Sequence, residues 1–221
     1  MRRRRSAQRT ISARDAIADL APLRPVIVES RSLLRTSRLT LRPLRESDRD
    51  EYLRVIRASR DHLDRFSPLH RPGESDDDLF LRQLELTEAG DRTGTGWRRV
   101  GVLDDGRIAG VFNLNAIRRG LCLEADANWW IAADCIRRGL AVEGVRAMLD
   151  YAFLDLPKGL GLHRVFAGIQ PENEASLRMA ARLGFVRVEG GVSSYLHAGG
   201  RWERHDVYVA DALGQVRESS E

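Results

Sequence analysis

Ile136-Arg-Arg-Gly-Leu-Ala141 is a short turn that leads out of a strand and opens onto a helix. After it, Val142, Val145, Met148/Leu149, Ala152/Phe153 and Leu156 recur at helical spacing, opposite Glu143, Arg146 and Asp150. The first turn of a helix leaves backbone N–H groups without intrahelical partners, and with the positive end of the helix dipole they form a cradle for phosphate. Gly139 lets the backbone approach a ligand closely, and Arg137 and Arg138 add positive charge. By itself such a turn serves equally well as a plain connector.

Towards the C-terminus the pattern repeats. Val165-Phe-Ala-Gly-Ile169 is a short apolar run typical of a strand buried on both faces. Gln170-Pro-Glu-Asn-Glu-Ala-Ser176 follows, with Asn173 as N-cap and Ser176 at the third helical position. That helix is expected over 174–183, closed by Gly184. Two final strands, near 185–189 and 204–209, flank a turn at Gly199-Gly200.

Towards the N-terminus, Leu39 and Leu41 alternate as in a half-buried strand. Ser47 with Asp50 reads as a capping box opening a helix with Tyr52, Leu53, Val55 and Ile56 on its apolar stripe. The acids Asp76, Asp77 and Asp78 suit the start of a second helix, which ends near Gly90. Asp105-Gly106 joins two strands in a hairpin, and a third strand covers about 121–131. This order predicts an α/β sheet with helices on both faces. Further upstream, residues 12–20 suit a short helix that Pro22 and Pro25 end.

The chain has 221 residues, 43% hydrophobic and 31% charged, enough for one domain with an appendage. Its net charge of +4 is unevenly spread: residues 1–38 hold ten Arg and three acids, which gives +7, and leave about −3 elsewhere. The expected division is a basic, flexible arm over 1–36, one domain over 37–211 and a tail over 212–221. The arm suits contact with RNA or the ribosome, although no aromatic residue interrupts it to stack on bases. MRRRRS is followed by no apolar run of signal-peptide type, and no stretch spans a bilayer, so a cytoplasmic protein without membrane contact is expected. Cys122 and Cys135 show no metal or redox spacing and read as buried free thiols, with no metal site.

In its order of elements the chain resembles the GNAT superfamily of acetyl-CoA-dependent acetyltransferases, nearest the RimJ/RimL branch of ribosomal-protein-alanine N-acetyltransferases. The resemblance rests on Ser37-Arg-Leu-Thr-Leu-Arg-Pro43, Trp129-Trp-Ile131, Leu149-Asp-Tyr-Ala-Phe153, Pro171-Glu-Asn-Glu-Ala-Ser176, Leu183-Gly-Phe185 and Gly200-Arg-Trp202. Gly110-Val-Phe-Asn-Leu-Asn-Ala-Ile-Arg-Arg-Gly120 is of the RimJ type. The chain departs from the branch pattern at Ile136, Arg137, Val142, Asn128 and Arg204.

The resemblance implies a central mixed, mostly antiparallel, twisted sheet of about seven strands, splayed in the middle, with acetyl-CoA as co-substrate and no metal. Backbone groups of Ile131 and Ala133 would hold the pantetheine arm, and the amides of Arg138, Gly139, Leu140 and Ala141 the pyrophosphate. Asn173 would bind cofactor, and Ser176 would bond the sulfur and protonate the departing thiolate. The implied acceptor is a protein N-terminal α-amine, with a small amine or a non-catalytic binding role as alternatives, in a monomer or homodimer.

Amine acetylation needs a neutral amine, and an α-amine with a pKa near 7.7–8.0 needs only a weak base or a water. Base candidates are Glu124 and Asp126, which share one face of their strand because side chains alternate. Solvated strand positions explain these acids as readily. Phe112, Asn113, Asn115 and Tyr195 are candidates for the acceptor pocket; His197 reads as a surface loop residue.

Overall fold

A computed structural model describes residues 33–189 and 201–214, together with the backbone of 193–198. The expected basic arm, its short helix, the Gly199-Gly200 turn and most of the tail lie outside the described residues. The strands are β1 (Leu34–Arg35), β2 (Thr40–Arg42), β3 (Trp97–Val102), β4 (Ile108–Arg118), β5 (Glu124–Ile131), β6 (Arg164–Ile169), β7 (Val186–Arg187), β8 (Ser193–Ala198) and β9 (Arg201–Asp211). The helices are α1 (Arg49–Asp64), α2 (Asp76–Thr93), α3 (Leu140–Phe153) and α4 (Glu174–Arg182).

All nine strands form one sheet in the order β1-β2-β3-β4-β5-β6-β9-β7, with β8 paired to β9. Only β5 and β6 run parallel; the other pairs are antiparallel. The sheet is thus mixed and mostly antiparallel, as expected, with nine strands among the described residues where about seven were expected. The additions are the two-residue edge β1 and β8, neither of which carries a distinctive apolar pattern.

Helices cover both faces. Trp130 and Phe112 point to opposite sides of the sheet, since Phe112 pairs across with Trp129 and side chains alternate along a strand. Trp130 packs edge-on against Tyr52 of α1 at 6.2 Å between ring centroids. On the other face the Phe112 ring, 0% exposed, lies under Gly144 of α3. A Cβ at Gly144 would stand 2.1 Å from the Phe112 ring, so only glycine permits this approach.

Several boundaries differ from the sequence reading. α2 runs to Thr93, past the expected stop near Gly90, and ends on the left-handed Gly94, whose amide donates to the Gly90 carbonyl. α3 ends at Phe153, and Leu156 lies 42% exposed ahead of a cis bond to Pro157. Ser47 and Asp50 do not form the expected capping box: Asp48, the N-cap of α1, makes no side-chain cap, and its carboxylate instead closes the 3-10 turn Glu46–Asp48 by accepting from the Arg45 amide at 2.9 Å, gripped by Arg42. Cys135 is buried, but Cys122 is exposed, because β5 begins only at Glu124 and leaves Cys122 in a surface loop.

Candidate active site

Two strand–turn–helix units meet where β5 and β6 part. Their parallel ladder holds for Glu124↔Arg164, Ala125↔Val165 and Asp126↔Phe166 and then stops. Past that point β5 runs on to Ile131 and α3, and β6 to Ile169 and α4. Ligands of open α/β sheets bind at such carboxyl ends.

The backbone beside the gap is available. Ala132 donates its amide to the Ala109 carbonyl at 2.8 Å, so along the antiparallel ladder even-numbered residues of β5 bond to β4. Trp129 and Ile131 therefore turn their N–H and C=O groups towards the gap. Ala133 differs: its amide donates to Ser59 Oγ of α1 at 3.0 Å, which leaves only its carbonyl for a ligand.

A cleft of about 190 Å³ occupies the gap, lined by Ile131, Cys135, Arg137, Gly139, Leu140 and Ala141 on one side and Asn173, Ser176 and Met179 on the other. His62, from the last turn of α1, and Phe66, just after that helix, also line it. Arg137 (φ 57°) and Gly139 (φ 76°) are both left-handed, and both line the cleft, whereas Arg138 between them and Ala133 do not. Gly139 also serves as N-cap of α3 with no side-chain cap. No hydrogen bond from another described residue reaches the amides of Arg138, Gly139, Leu140 or Ala141. Four unpartnered amides at a helix N-terminus fit a pyrophosphate, and Ile136 points its side chain partly to solvent without closing the loop. Burial pushes the Cys135 thiol above its usual range.

The loop is clasped from outside. Glu143, in the first turn of α3, accepts from Thr36 Oγ1 at 2.5 Å, Ser37 Oγ at 3.0 Å, the Arg38 amide at 2.9 Å and Arg38 Nε at 2.7 Å. Burial alone would raise its pKa, but the Thr36 and Arg38 contacts hold the carboxyl below its usual range. Arg38 Nη1 also donates to the Arg138 carbonyl at 2.8 Å.

Ser176 sits at the third position of α4, its amide donated to Asn173 Oδ1 at 3.1 Å. Both residues line the main cleft and a neighbouring one of about 50 Å³, as do Phe66 and Trp129. The second cleft is completed by Ala127, Asn128, Gly168, Ile169 and Gln170, and it carries no charged side chain.

The remaining sequence candidates fall elsewhere. Glu124 and Asp126 lie in the paired part of β5, before the gap, and line neither cleft. Glu124 is bonded to Arg118 at 3.2 Å and ion-paired with Arg164 at 2.9 Å, and Asp126 is held by Arg118 at 3.1 Å. Phe112 is core, with no surface to offer an acceptor. Asn113, 2% exposed, faces a one-water void of about 10 Å³ beneath α1 and α2 instead of the cleft. Asn115 reaches the second cleft only through its hydrogen bond to Asn128 at 2.9 Å, and is itself held by Arg98. Tyr195 falls on β8, opposite Arg204, and its side chain lies outside the described residues.

Phe66 opens the loop 66–73, where acceptor choice was expected without a readable motif, and it lines both clefts. His62, Gln170 and Met179 were not expected as lining residues, and only the place of His62 just before that loop pointed to it. Among the described residues no group of three His, Cys, Asp or Glu could hold a metal ion, and no helix is long and apolar enough to cross a membrane.

Comparison with known proteins agrees with this geometry. The model of the Acetyltransferase (GNAT) domain matches residues 38–186. The chain is 29% identical over 181 residues to the probable N-acetyltransferase YjcK of Bacillus subtilis, covering 79% of this chain and 94% of that protein. It is 30% identical over 102 residues to the ribosomal protein uS5-alanine N-acetyltransferase of Escherichia coli, covering 46% of this chain and 50% of that one. The structure of Mycobacterium smegmatis RimJ in complex with CoA-disulfide superimposes with a TM-score of 0.69 at 25% identity, covering 82% of this chain and 89% of that chain. Spermidine N-acetyltransferase from Vibrio cholerae, in complex with CoA and spermine, gives 0.65 at 23%, covering 82% and 99%. The chain belongs to the GNAT acetyltransferase family and is an N-acetyltransferase.

Proposed function

We propose that this N-acetyltransferase uses acetyl-CoA to acetylate the N-terminal α-amine of a protein, of the ribosomal-protein-alanine type. One observation carries the reading. The cleft next to the main one, sharing Ser176 and Trp129 with it, is lined by neutral groups alone. A polyamine brings several ammonium groups and calls for carboxylates beside them. The acids of β5 are bonded to arginines outside the cleft. A single α-amine needs no such counter-charge, and with its pKa near 7.7–8.0 it loses its proton to water without a strong base.

Acetyl-CoA supplies the acetyl group as a thioester. The amides of Arg138 to Ala141 would hold the pyrophosphate, and the free backbone groups of Ile131 would hold the pantetheine. The Ser176 hydroxyl, held in place by the Asn173 cap, donates to the departing sulfur. Phe66 and Trp129 exclude water from the junction of the two clefts. The +7 charge over residues 1–38 favours an acceptor presented on the ribosome, in the cytoplasm.

The test is thiol release from acetyl-CoA with a peptide starting Ala or Ser, measured beside spermidine and other small amines. The expected result is kcat/KM at least about tenfold higher for the peptide, a discrimination of about 1.4 kcal/mol in transition-state binding. Preference for spermidine would overturn the reading.

A further inference from the structure

We infer that Arg38 is a positioning residue for the donor, which sets the direction of the Gly139 amide from outside the cleft. This inference rests on the assignment of the Ile136–Ala141 loop to the pyrophosphate of acetyl-CoA.

A trans peptide unit is planar, and its C=O and N–H point in opposite directions. Arg38 Nη1 holds the Arg138 carbonyl at 2.8 Å, and the guanidinium lies 3.5 Å from where a Gly139 Cβ would stand. Gly139 lines the cleft, whereas Arg38 does not. Drawing the Arg138 carbonyl towards Arg38 therefore turns the Gly139 N–H the other way, into the cleft. That peptide unit leads into Gly139 from a loop with left-handed residues at 137 and 139, a backbone that can flip because Gly139 adopts either sign of φ easily. A flipped unit would present a carbonyl oxygen to the pyrophosphate and repel it.

The guanidinium is itself fixed in orientation. Its Nε and Nη2 reach Glu143 at 2.7 and 2.6 Å, and Glu143 is further held by Thr36 and Ser37. The planar fork of arginine meets the carboxylate and the carbonyl together, which a lysine ammonium cannot do in the same geometry. Residues 36–38 thus lock the loop to the first turn of α3.

Two donors separate positioning from general structural support. Acetyl-CoA carries the pyrophosphate, and acetyl-pantetheine lacks it. Arg38→Met should lower kcat/KM for acetyl-CoA by about tenfold to a hundredfold, the scale of a misplaced binding group. For acetyl-pantetheine it should change kcat/KM by less than about twofold. Arg38→Lys, which can still reach the carbonyl, should recover part of the loss. Equal losses with both donors, or no loss with either, would overturn the inference. Should Arg38→Met fail to fold, the isosteric Glu143→Gln carries the same comparison, with a smaller but donor-selective loss. If the unsubstituted protein does not favour acetyl-CoA over acetyl-pantetheine, the pyrophosphate assignment fails and the inference with it.

Discussion

The Ser176 amide donates to Asn173 Oδ1 at 3.1 Å, so the residue that caps α4 also fixes the turn presenting the Ser176 hydroxyl to both clefts. Ser176→Ala should lower kcat by about 10²–10⁴-fold, the usual contribution of a general acid, with little change in the affinity for CoA. Steady-state rates beside calorimetric titration with CoA check this. Unchanged turnover would remove Ser176 from the reaction.

Asn173→Ala should act differently. Loss of the cap removes about 1 kcal/mol of stability. It also lowers turnover, because the first turn of α4 loosens under Ser176. Thermal melts and rates measured on the same preparation separate the two effects.

The end of β5 is tied to α1 through Ser59, 1% exposed, which accepts from the Ala133 amide. Ser59→Ala leaves that amide unsatisfied and should cost about 1–3 kcal/mol in a denaturant titration. Gly144→Ala places a methyl against the Phe112 ring, and overpacking of this kind costs about 1–3 kcal/mol. A Phe112→Leu substitution in the same chain should recover part of that loss.

The fold was legible because the sequence changes period where the elements change. The apolar stripe from Val145 to Ala152, the apolar run Val165–Ile169 and the PENEAS turn each announce an element locally, although that run is buried on one face only, with Phe166 half-buried and Gly168 exposed on the other. β1 and β8 had no such signal, since the first is two residues long and the second, Ser193–Ala198, lacks a clear alternation. The candidate site was legible where its geometry is local, at the Gly139 turn and the Asn173–Ser176 cap. It was illegible where partners are distant in sequence. Glu124 looks free until Arg164 is brought beside it, and nothing local to Arg38 points to Glu143, 105 residues away.

The loop after α1 carries a pH signature. Arg82 Nε donates to Glu74 Oε1 at 2.6 Å and Arg82 Nη2 to Glu74 Oε2 at 2.7 Å; Arg82 also holds the Leu69 carbonyl and so braces the segment that follows Phe66. The Arg82 hydrogen bonds draw the Glu74 pKa from 4.5 down to about 2. A folded-state pKa below the unfolded one stabilises the protein above the unfolded value, and this contribution is lost as pH falls towards the folded value. Glu74→Gln should therefore destabilise the protein fully above about pH 4.5, with the difference from the unsubstituted chain shrinking between pH 4.5 and 2. Urea titrations across that range check the sign; a difference that grows on acidification would contradict it.

We propose that the gap between β5 and β6, with the amides of Arg138 to Ala141 at one end, is the acetyl-CoA site. A thermal melt of the full chain with acetyl-CoA tests it most directly. At about a hundredfold excess over Kd, binding to the folded state alone contributes about 2.7 kcal/mol. For a chain of this size that corresponds to a rise in Tm of roughly 5–10 °C. The account predicts that rise, and a smaller one for pantetheine at the same concentration. A flat melt at millimolar acetyl-CoA would contradict it.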